Sequence, residues 1–581
     1  MQRINIKLSV FLTIFIIITS IIFIYNNHIN KFILKNVNIS PSRTDNYSGY
    51  ILIGQVASFE QNIPTAINSF EQALIYQPNS LELKRDIFLK NLLSNNFEQA
   101  LKLATDLIND PEVGTWAKLA LTLQAIKTHD YDKASKYINF SDNLSPMEQE
   151  IQKTVESWLI FAKDGYDKAI ARLFAKPVEE WNKFIIYNQA FYMAQLSNRT
   201  EDIIKYYQKI TKNKDPVTTN SYLRSVSNYI LLLSLQKKHK QAINFLGKVP
   251  DIEGNLLYTA LYTTIAKQDE IPLLVTNSTE ALSEFFVTLV DILEKLNIRL
   301  LPSIYNSFSL GLNHKNSLSL LYNGTMIRYL DTQKSIFYFN QITKQDLYYV
   351  DAQLEKAYSL SLLKEYDNAL QVLNTLEKDY PFLRDLLILK AKIYIEQQNY
   401  DKALDTLTSY LTNVKKISTE DWQLYYLTAL SYKHLKNNIA MRENYEKAIK
   451  LFPSDPLLLA DYALALLQTE PKQYKKALTM AKKAYNLQSE NGAIVDTLGW
   501  IYYNMKDYKN AQKYLEEALV ILPRNATAQD HLGDLYWAIN KKLSALYQWK
   551  QAKKLDISDE LKDSLTQKIN NAQKDLQLNQ N

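Results

Sequence analysis

The chain has 581 residues, 46% of them hydrophobic, and a formal net charge of +6 carried by interspersed acidic and basic side chains. The complete absence of Cys excludes disulfides, thiol nucleophiles, Cys-ligated metals and a lipoprotein anchor. The weak, dispersed charge argues against a nucleic-acid-binding face, which needs clustered Lys and Arg, and a total of 11 Gly argues against a fold rich in loops or strands.

The first predicted element is an apolar run close to the N-terminus. Arg3 and Lys7 precede an uncharged run over residues 8–25, whose length approaches the ~20 residues that cross a bilayer. A cleaved signal peptide has a shorter apolar core and a small-residue cleavage site, and no such site follows this run. The sequence therefore predicts an N-terminal transmembrane anchor, or uncleaved signal, within residues 1–25, and a short polar spacer over residues 26–46.

The orientation of this anchor is almost balanced in the sequence. Lys31, Lys35 and Arg43 follow the run and offset the positive charges that precede it. We expect the N-terminus in the cytoplasm and the bulk of the chain across the membrane. The opposite topology, and release of the chain after signal cleavage, are the alternatives.

A repeated pattern occupies the chain after the spacer. The stretch "DTLGWIYY", which contains Gly499, recurs 34 residues later as "DHLGDLYW", which contains Gly533. An Ala near the start of each second helix recurs in the same phase, at Ala66, Ala100, Ala134, Ala169, Ala242, Ala369, Ala403, Ala477, Ala511 and Ala545. A 34-residue period with this pattern is typical of tetratricopeptide repeats. The sequence therefore resembles the tetratricopeptide repeat (TPR) family.

The resemblance implies an all-α fold in which antiparallel helix pairs stack into a right-handed superhelical solenoid. We expect about 14 TPR-like units, divided into an N-terminal array over residues 47–250 and a C-terminal array over 282–557. Residues 251–281 break the pattern and are predicted to be an irregular or degenerate unit. Residues 558–581 carry one apolar stripe, which predicts a terminal capping helix and tail; a partner-binding helix is the alternative.

Small residues recur inside the first helix of the units, at Gly54, Ala391, Ala465, Gly499 and Gly533. Gly inside a helix costs about 1 kcal/mol relative to Ala, so its use needs a compensating gain. We expect these residues, with Ala511 and Ala518 in the second helix, to let the two helices of a pair cross closely. A bulkier residue at Gly499 is then expected to overpack the crossing.

In the TPR family, partner segments bind along a concave groove lined by the second, fifth, ninth, twelfth and thirteenth residues of each unit, which we call the inner positions. Carried onto the last units, these positions predict a peptide groove lined by Tyr426, Tyr462, Asp496, Trp500, Tyr503, Asn504, Asp530, Asp534 and Trp537. This set lacks the Lys, Arg and Asn carboxylate clamp of the co-chaperone members. An acidic and aromatic groove favours an extended or helical partner segment that carries Lys or Arg beside apolar residues.

Two expectations attach to this groove. Replacement of Asp530 and Asp534 by Lys is expected to abolish capture of such a partner. The alternative for the aromatic residues is that they pack between repeats.

No motif for catalysis, a cofactor or a metal stands out. The six His are scattered, and no H-E-x-x-H, P-loop or G-x-G-x-x-G is present. The S-x-x-K matches at Ser234 and Ser361 fall inside predicted helices and lack a K-T-G partner. We therefore predict a cofactor-free, non-enzymatic scaffold or adaptor whose partners are other proteins and, through residues 8–25, a membrane. No nucleic acid is expected as a partner, and self-association is left open.

The last units resemble the C-terminal ends of α-proteobacterial envelope TPR proteins. This resemblance implies an inner-membrane protein with a single N-terminal span and a periplasmic array. An RNA-binding helical-repeat protein and an unrecognised enzyme are the alternative classes.

Overall fold

The computed structural model describes residues 45–578 apart from 141–143, 180, 213–218, 247–260, 263–264, 266–272, 299, 415–416, 470–472 and 556–557. The predicted anchor, nearly all of the predicted spacer and most of the predicted irregular stretch lie outside these residues. The described part is all-helical, with 29 α-helices, two short 3-10 turns and no strand. None of its helices has the length and apolar character needed to cross a membrane.

The first fourteen helices are α1 (Asp45–Phe59), α2 (Ile63–Tyr76), α3 (Leu81–Leu93), α4 (Phe97–Ala104), α5 (Gly114–Lys127), α6 (Tyr131–Tyr137), α7 (Pro146–Asp164), α8 (Tyr166–Leu173), α9 (Lys183–Leu196), α10 (Thr200–Lys212), α11 (Thr219–Leu235), α12 (His239–Leu246), α13 (Ser278–Lys295) and α14 (Leu300–Leu312). The others are α15 (Ser317–Ile327), α16 (Thr332–Asn340), α17 (Tyr349–Leu362), α18 (Tyr366–Asp379), α19 (Arg384–Glu396), α20 (Tyr400–Asn413), α21 (Trp422–His434), α22 (Asn438–Leu451), α23 (Pro456–Thr469), α24 (Tyr474–Leu487), α25 (Gly492–Asn504), α26 (Tyr508–Ile521), α27 (Ala526–Ala538), α28 (Lys542–Lys553) and α29 (Asp559–Leu578).

The helices pack as two compact units, each of which contains several repeats. From here on, the first unit and the second unit mean these two parts of the chain. The first comprises the described residues up to Ser225 together with Val275–His314, and the second comprises Val226–Leu274 and the chain from Lys315 onward. This division differs from the sequence-based boundaries, because residues 282–314 pack with the first unit although they follow the irregular stretch in the chain. The boundaries at 250 and 282 remain predictions about the repeat pattern.

Most pairs of helices are joined by the same short turn, whose central residue has a positive φ. These residues are Gln61, Asn95, His129, Asn198, Lys237, Asn297, Lys364, Gln398, Lys436, Lys506 and Asn540. At Lys506, the next amide N–H, of Asp507, donates to Tyr502 O at 3.0 Å, which is the helix-ending bond of a Schellman motif. The Asp507 carboxylate then accepts from Asn510 N at 3.2 Å and caps α26. One turn thus ends one helix and starts the next.

The two helices of a pair cross at the small residues predicted from the sequence. A Cβ placed on Gly499 would lie 2.8 Å from Leu515 Cγ and 2.9 Å from the Leu515 backbone N. Gly54 and Phe70 show the same arrangement, and so do Gly533 and Trp549, where the nearest ring atoms would lie 2.5 Å away. The close crossing is therefore confirmed, and tight packing of the facing side chain against the Gly backbone offsets the helix penalty of Gly.

Successive pairs are joined by apolar side chains that neither pair buries alone. Leu498 and Ile501 of α25 are fully buried in one cluster with Ala477 and Ala481, which lie on the second helix of the preceding pair. Ala511 and Leu515 of α26 belong to the same cluster. The first helix α25 is therefore covered on one side by its own partner and on another by the helix before it, as stacking of repeats requires.

Gly499→Ala tests the close crossing. The added methyl meets the backbone of α26 as well as a side chain, so we expect a loss of about 1–3 kcal/mol in the free energy of unfolding, measured by urea denaturation. Gly49→Ala is the matched control, because a Cβ at Gly49 in α1 has no neighbour within 4 Å, and that variant should gain up to about 1 kcal/mol. Equal effects at the two positions would contradict the crossing as the reason for Gly499.

Candidate functional site

Inner positions on α5, α9 and α11 of the first unit are occupied by another part of the chain. Lys127 Nζ donates to Gly311 O at 2.7 Å, and Gln195 Nε2 donates to Val275 O at 2.7 Å. Arg224 donates to both oxygens of Glu284 at 2.6 Å, and both side chains are almost completely buried. Segment 275–312, which contains α13 and α14, therefore lies along these positions as an internal ligand.

Apolar contacts complete this arrangement. Phe308 of α14 is fully buried and meets Phe97 edge to face, with ring centroids 6.1 Å apart. The α14 backbone approaches so closely that a Cβ on Gly311 would lie 2.4 Å from the Phe97 ring. Inner positions from α5 to α9 are buried as a result, at Leu119, Leu123, Ile126, Ile151, Thr154, Trp158, Ile185, Asn188, Tyr192 and Gln195.

In the second unit the predicted groove residues of α25 form a stack of rings. The Trp500 ring lies on His531 with centroids 3.9 Å apart and on Tyr503 with centroids 4.7 Å apart, and both pairs are nearly parallel. His531 Nδ1 donates to Asp496 Oδ2 at 2.8 Å, which fixes the imidazole within the stack. Asn504 donates from its side chain to Trp500 O at 2.8 Å and belongs to the helix end rather than to the stack.

The predicted acidic pair of α27 already holds a cation. Lys568 of α29 donates to Asp530 Oδ1 at 2.7 Å and to Asp534 Oδ2 at 2.9 Å. Trp549 Nε1 donates to Asp534 Oδ1 at 3.0 Å. The pKa of Asp534 is raised, mainly by burial and secondly by the nearby charge of Asp530. Burial lowers the pKa of Lys568, but the bonds to the two carboxylates outweigh it and the net direction is upward.

Apolar residues of α29 flank this cation. Leu565, Ile569 and Ala572 are buried against Trp549 and neighbouring small residues of α28. The last helix therefore packs by one face, and it presents the Lys-plus-apolar chemistry that the sequence predicted for a partner. Replacement of Asp530 and Asp534 by Lys would therefore break the contact between α27 and α29 as well as repel a cationic ligand. That double variant cannot test partner capture alone.

The remaining predicted residues divide between surface and core. Tyr462 is fully buried, stacks on Tyr445 with centroids 4.9 Å apart, and donates to Glu446 at 3.1 Å, so it packs between helices. Tyr426 is half-buried and donates to Asp461. Trp537 is also half-buried, and its ring centroid lies 5.6 Å from that of Trp549.

Three of these contacts join consecutive first helices and form a polar ladder, which we define as the pairs Tyr426–Asp461, Asp496–His531 and Asp534–Lys568. Their partners are 34 or 35 residues apart, close to the repeat period. Sequence reasoning named one member of each pair and missed the other. The signal that could have found the missing members was a polar residue one period after each predicted groove residue.

Asp351, at an inner position of α17, was also missed. Its Oδ2 is buried and has no hydrogen-bond partner among the described residues. Burial, together with the nearby charges of Glu355 and Asp385, raises the pKa of Asp351 to about 7. Elsewhere in the described chain, no group of three or more His, Cys, Asp or Glu is placed to hold a metal ion.

The ladder predicts a defect when Lys568 loses its charge. Lys568→Met keeps the apolar stem but leaves two buried carboxylates without a cation, so we expect a loss of about 1–3 kcal/mol in unfolding free energy and faster hydrogen exchange of the α29 amides. Lys574→Met, on the exposed side of the same helix, is the control and should change neither quantity. Unchanged exchange in the Lys568 variant would show that the apolar face alone holds α29.

The raised pKa of Asp351 predicts a specific pH dependence. The folded chain holds a proton on Asp351 that the unfolded chain has lost, so this group makes stability fall as pH rises from 3.8 to about 7. Asp351→Asn should remove that fall and gain about 2–4 kcal/mol over the wild type at pH 8, while matching it near pH 3.5. The urea midpoint at each pH measures this, with Asp405→Asn on the exposed side of α20 as the control. Parallel pH profiles for wild type and Asp351→Asn would contradict the assignment.

Comparison with known proteins agrees with this geometry. Tetratricopeptide repeat models match residues 351–382, 423–455 and 494–525, which correspond to the pairs α17–α18, α21–α22 and α25–α26. The TPR repeat-containing protein PA4667 of Pseudomonas aeruginosa is 26% identical over 189 residues, a match that spans 32% of this chain and 31% of that protein.

Solved structures with similar helix arrangements include the APC/C hetero-tetramer Cut9–Hcn1, at 14% identity and a TM-score of 0.39, over 92% of this chain and 96% of that chain. A tetratricopeptide repeat protein from Parabacteroides merdae is 13% identical with a TM-score of 0.36, over 43% of this chain and 96% of that chain. The family assignment depends on the matched repeats and on the stacked helix pairs. The chain contains tetratricopeptide repeats at residues 351–382, 423–455 and 494–525.

Proposed function

We propose that the protein is a membrane-tethered scaffold that binds segments of other proteins on the inner positions of its second unit. Tetratricopeptide repeats imply protein–protein interaction. The observation that carries the choice of unit is that inner positions on α5, α9 and α11 of the first unit are bonded to segment 275–312, whereas those of the second unit stay at least partly exposed on several helices. Examples are Tyr358, Lys392, Leu430, Tyr503 and Trp537.

The chemistry of these exposed positions defines the class of partner. The flat faces of the ring stack built on Trp500 and Tyr503 suit apolar and cationic side chains. An extended or helical segment with apolar residues and a Lys or Arg fits this surface. Lys568 and its apolar neighbours on α29 bind to α27 and α28 in this way, and this contact within the chain supports the same chemistry for a partner segment.

The proposal places the array in the bacterial envelope, on the periplasmic side of the inner membrane. Its support is the apolar run over residues 8–25, which has the length and preceding positive charge of a membrane anchor. The finer architecture belongs to the same proposal: about 14 stacked pairs forming a right-handed superhelical solenoid, with the inner positions along its groove.

Site-specific photocrosslinking in living cells tests the binding surface. The photoreactive residue p-benzoylphenylalanine in place of Tyr503 should give a discrete adduct with another protein. The crosslinked peptide, identified by mass spectrometry, should carry Lys or Arg beside apolar residues. Val520, which is 82% exposed on α26, is the control position and should give at least tenfold less adduct.

Two outcomes would contradict the proposal. Equal adducts at Tyr503 and Val520, or none at Tyr503, would show that the inner positions are not the binding surface. Protease added to spheroplasts should digest the array, and its survival there would contradict the periplasmic placement.

A further inference from the structure

The last three helix pairs expose a repeating stripe on their second helices. Four places recur every 34 residues on α24, α26 and α28, on the side of each helix away from its buried residues, and the final one directly follows α28. We call these residues the outer stripe: Lys475, Thr479, Lys482, Asn486, Lys509, Lys513, Glu516, Val520, Leu543, Tyr547, Lys550 and Lys554. All of them except the half-buried Glu516 are exposed.

The repeat register places the outer stripe on one side of the second unit. The buried residues of these helices are also 34 apart, for example at Ala477, Ala511 and Ala545. Tyr485 of α24 joins α26 directly, because its hydroxyl donates to Glu517 at 3.0 Å. The buried side of α26 lies against its own first helix, with Leu515 packed on Gly499. The outer stripe therefore lies on the side of the second helices that is away from the first helices and their inner positions.

The outer stripe is strongly basic. It contains six Lys and a single carboxylate, Glu516. That carboxylate accepts from Tyr536 at 2.9 Å and from Gln512 at 2.7 Å, so it is already bonded within the stack. The ion pairs of α24 and α28 use Lys476 and Lys542, which lie outside the stripe. Since no described carboxylate forms an ion pair with the six Lys of the stripe, their charges are available to an external anion.

The second helices of two earlier pairs do not share this charge. At the same places, counted from the buried Ala near the start of each helix, α18 has Asp367, Gln371, Asn374 and Lys378, and α20 has Asp401, Asp405, Thr408 and Thr412. Three Asp and one Lys on α18 and α20 thus contrast with six Lys and one Glu on the last three second helices. The basic stripe is therefore a local feature, which the small net charge of +6 for the whole chain hides.

Large apolar side chains lie among these Lys. Val520, Leu543 and Tyr547 are 82%, 73% and 59% exposed. Leu543 and Tyr547 stand one repeat after Lys509 and Lys513 and occupy the same places. The phosphates of a nucleic-acid backbone give such side chains no apolar partner. The interface of a bilayer accepts both kinds, because aliphatic and Tyr side chains enter the boundary between headgroups and acyl chains while Lys reaches the phosphates.

We propose that the outer stripe of α24, α26 and α28 binds the surface of a lipid bilayer that carries anionic headgroups. Clusters of about four to eight Lys or Arg on an amphipathic surface bind such headgroups, with an attraction that salt screens. Contact through the second helices leaves Trp500 and Tyr503, on the first helix α25, on the side away from the lipid. The contact itself depends neither on the predicted anchor over residues 8–25 nor on a bound partner.

Contact quenching of a fluorophore in the full chain tests this proposal. The chain has no native Cys, so Asn486→Cys places a single label in the outer stripe. Thr412→Cys places the control label at the equivalent exposed position of α20. The vesicles contain phosphatidylcholine and phosphatidylglycerol in equal parts, doped with a lipid whose headgroup carries a nitroxide quencher. We expect quenching at residue 486 to be at least about threefold stronger than at residue 412, and this difference should disappear with pure phosphatidylcholine or at high salt.

Charge variants of the labelled Asn486→Cys chain identify the residues responsible. The stripe variant replaces four exposed Lys by Gln: Lys475→Gln, Lys509→Gln, Lys550→Gln and Lys554→Gln. The control has the same net charge and replaces four exposed Lys of the first unit: Lys102→Gln, Lys133→Gln, Lys136→Gln and Lys209→Gln. The stripe variant should need at least about tenfold more anionic lipid for half-maximal quenching, and the control should match the parent chain. Equal behaviour of the two variants, or quenching that does not require phosphatidylglycerol, would overturn the proposal.

Other anionic partners are distinguished with the same variants. RNA or polyglutamate takes the place of the vesicles, and the anisotropy of the label reports binding. If the vesicles give no quenching and the stripe variant alone loses binding to RNA or polyglutamate, the outer stripe binds a nucleic acid or an acidic protein and the assignment to lipid is wrong. Either result leaves partner binding at Tyr503 untouched, so this proposal and the proposed function fail separately.

Discussion

The fold depends on close contact between helices that cannot bury their own apolar faces. At Gly499 the backbone of α26 approaches so closely that a single methyl group has no room. The same helix is covered on another side by Ala477 and Ala481 of the preceding pair. Both contacts need small residues in a fixed register, because one large side chain at a crossing would separate two helices and shift every pair stacked beyond them. This requirement explains why the period of 34 is so plain in the sequence.

The inner positions show how the two units use the same surface differently. In the first unit they bind segment 275–312 through Lys127, Gln195 and the buried pair of Arg224 with Glu284. In the second unit several carboxylates on first helices bond to the neighbouring first helix, one repeat along. Polar residues that would be read as a recognition surface therefore also stabilise the stack, and only the part left exposed remains for a partner.

Much of this was accessible from the sequence, and the rest was not for identifiable reasons. Helix pairs, their crossings at Gly499 and Gly533, and the one-sided packing of α29 follow from local periodicity and small-residue spacing. The buried position of Tyr462 does not, because it depends on stacking against Tyr445, which lies on a different helix. The placement of α13 and α14 also escaped prediction. Their contacts with Phe97 and Lys127 span more than 180 residues, and no local pattern encodes such a distance.

The buried ion pair between Arg224 and Glu284 alters how the first unit comes apart. An ideal repeat array has only nearest-neighbour couplings and can fray one pair at a time from an end. Here a bidentate contact closes a loop of 60 residues, and α14 bonds to side chains much earlier in the chain. Local unfolding of a single pair in the middle of this unit must also break its contacts with a segment that is distant in the sequence. We therefore expect the first unit to unfold in one cooperative transition, whereas an array with contacts between neighbouring pairs alone can unfold pair by pair.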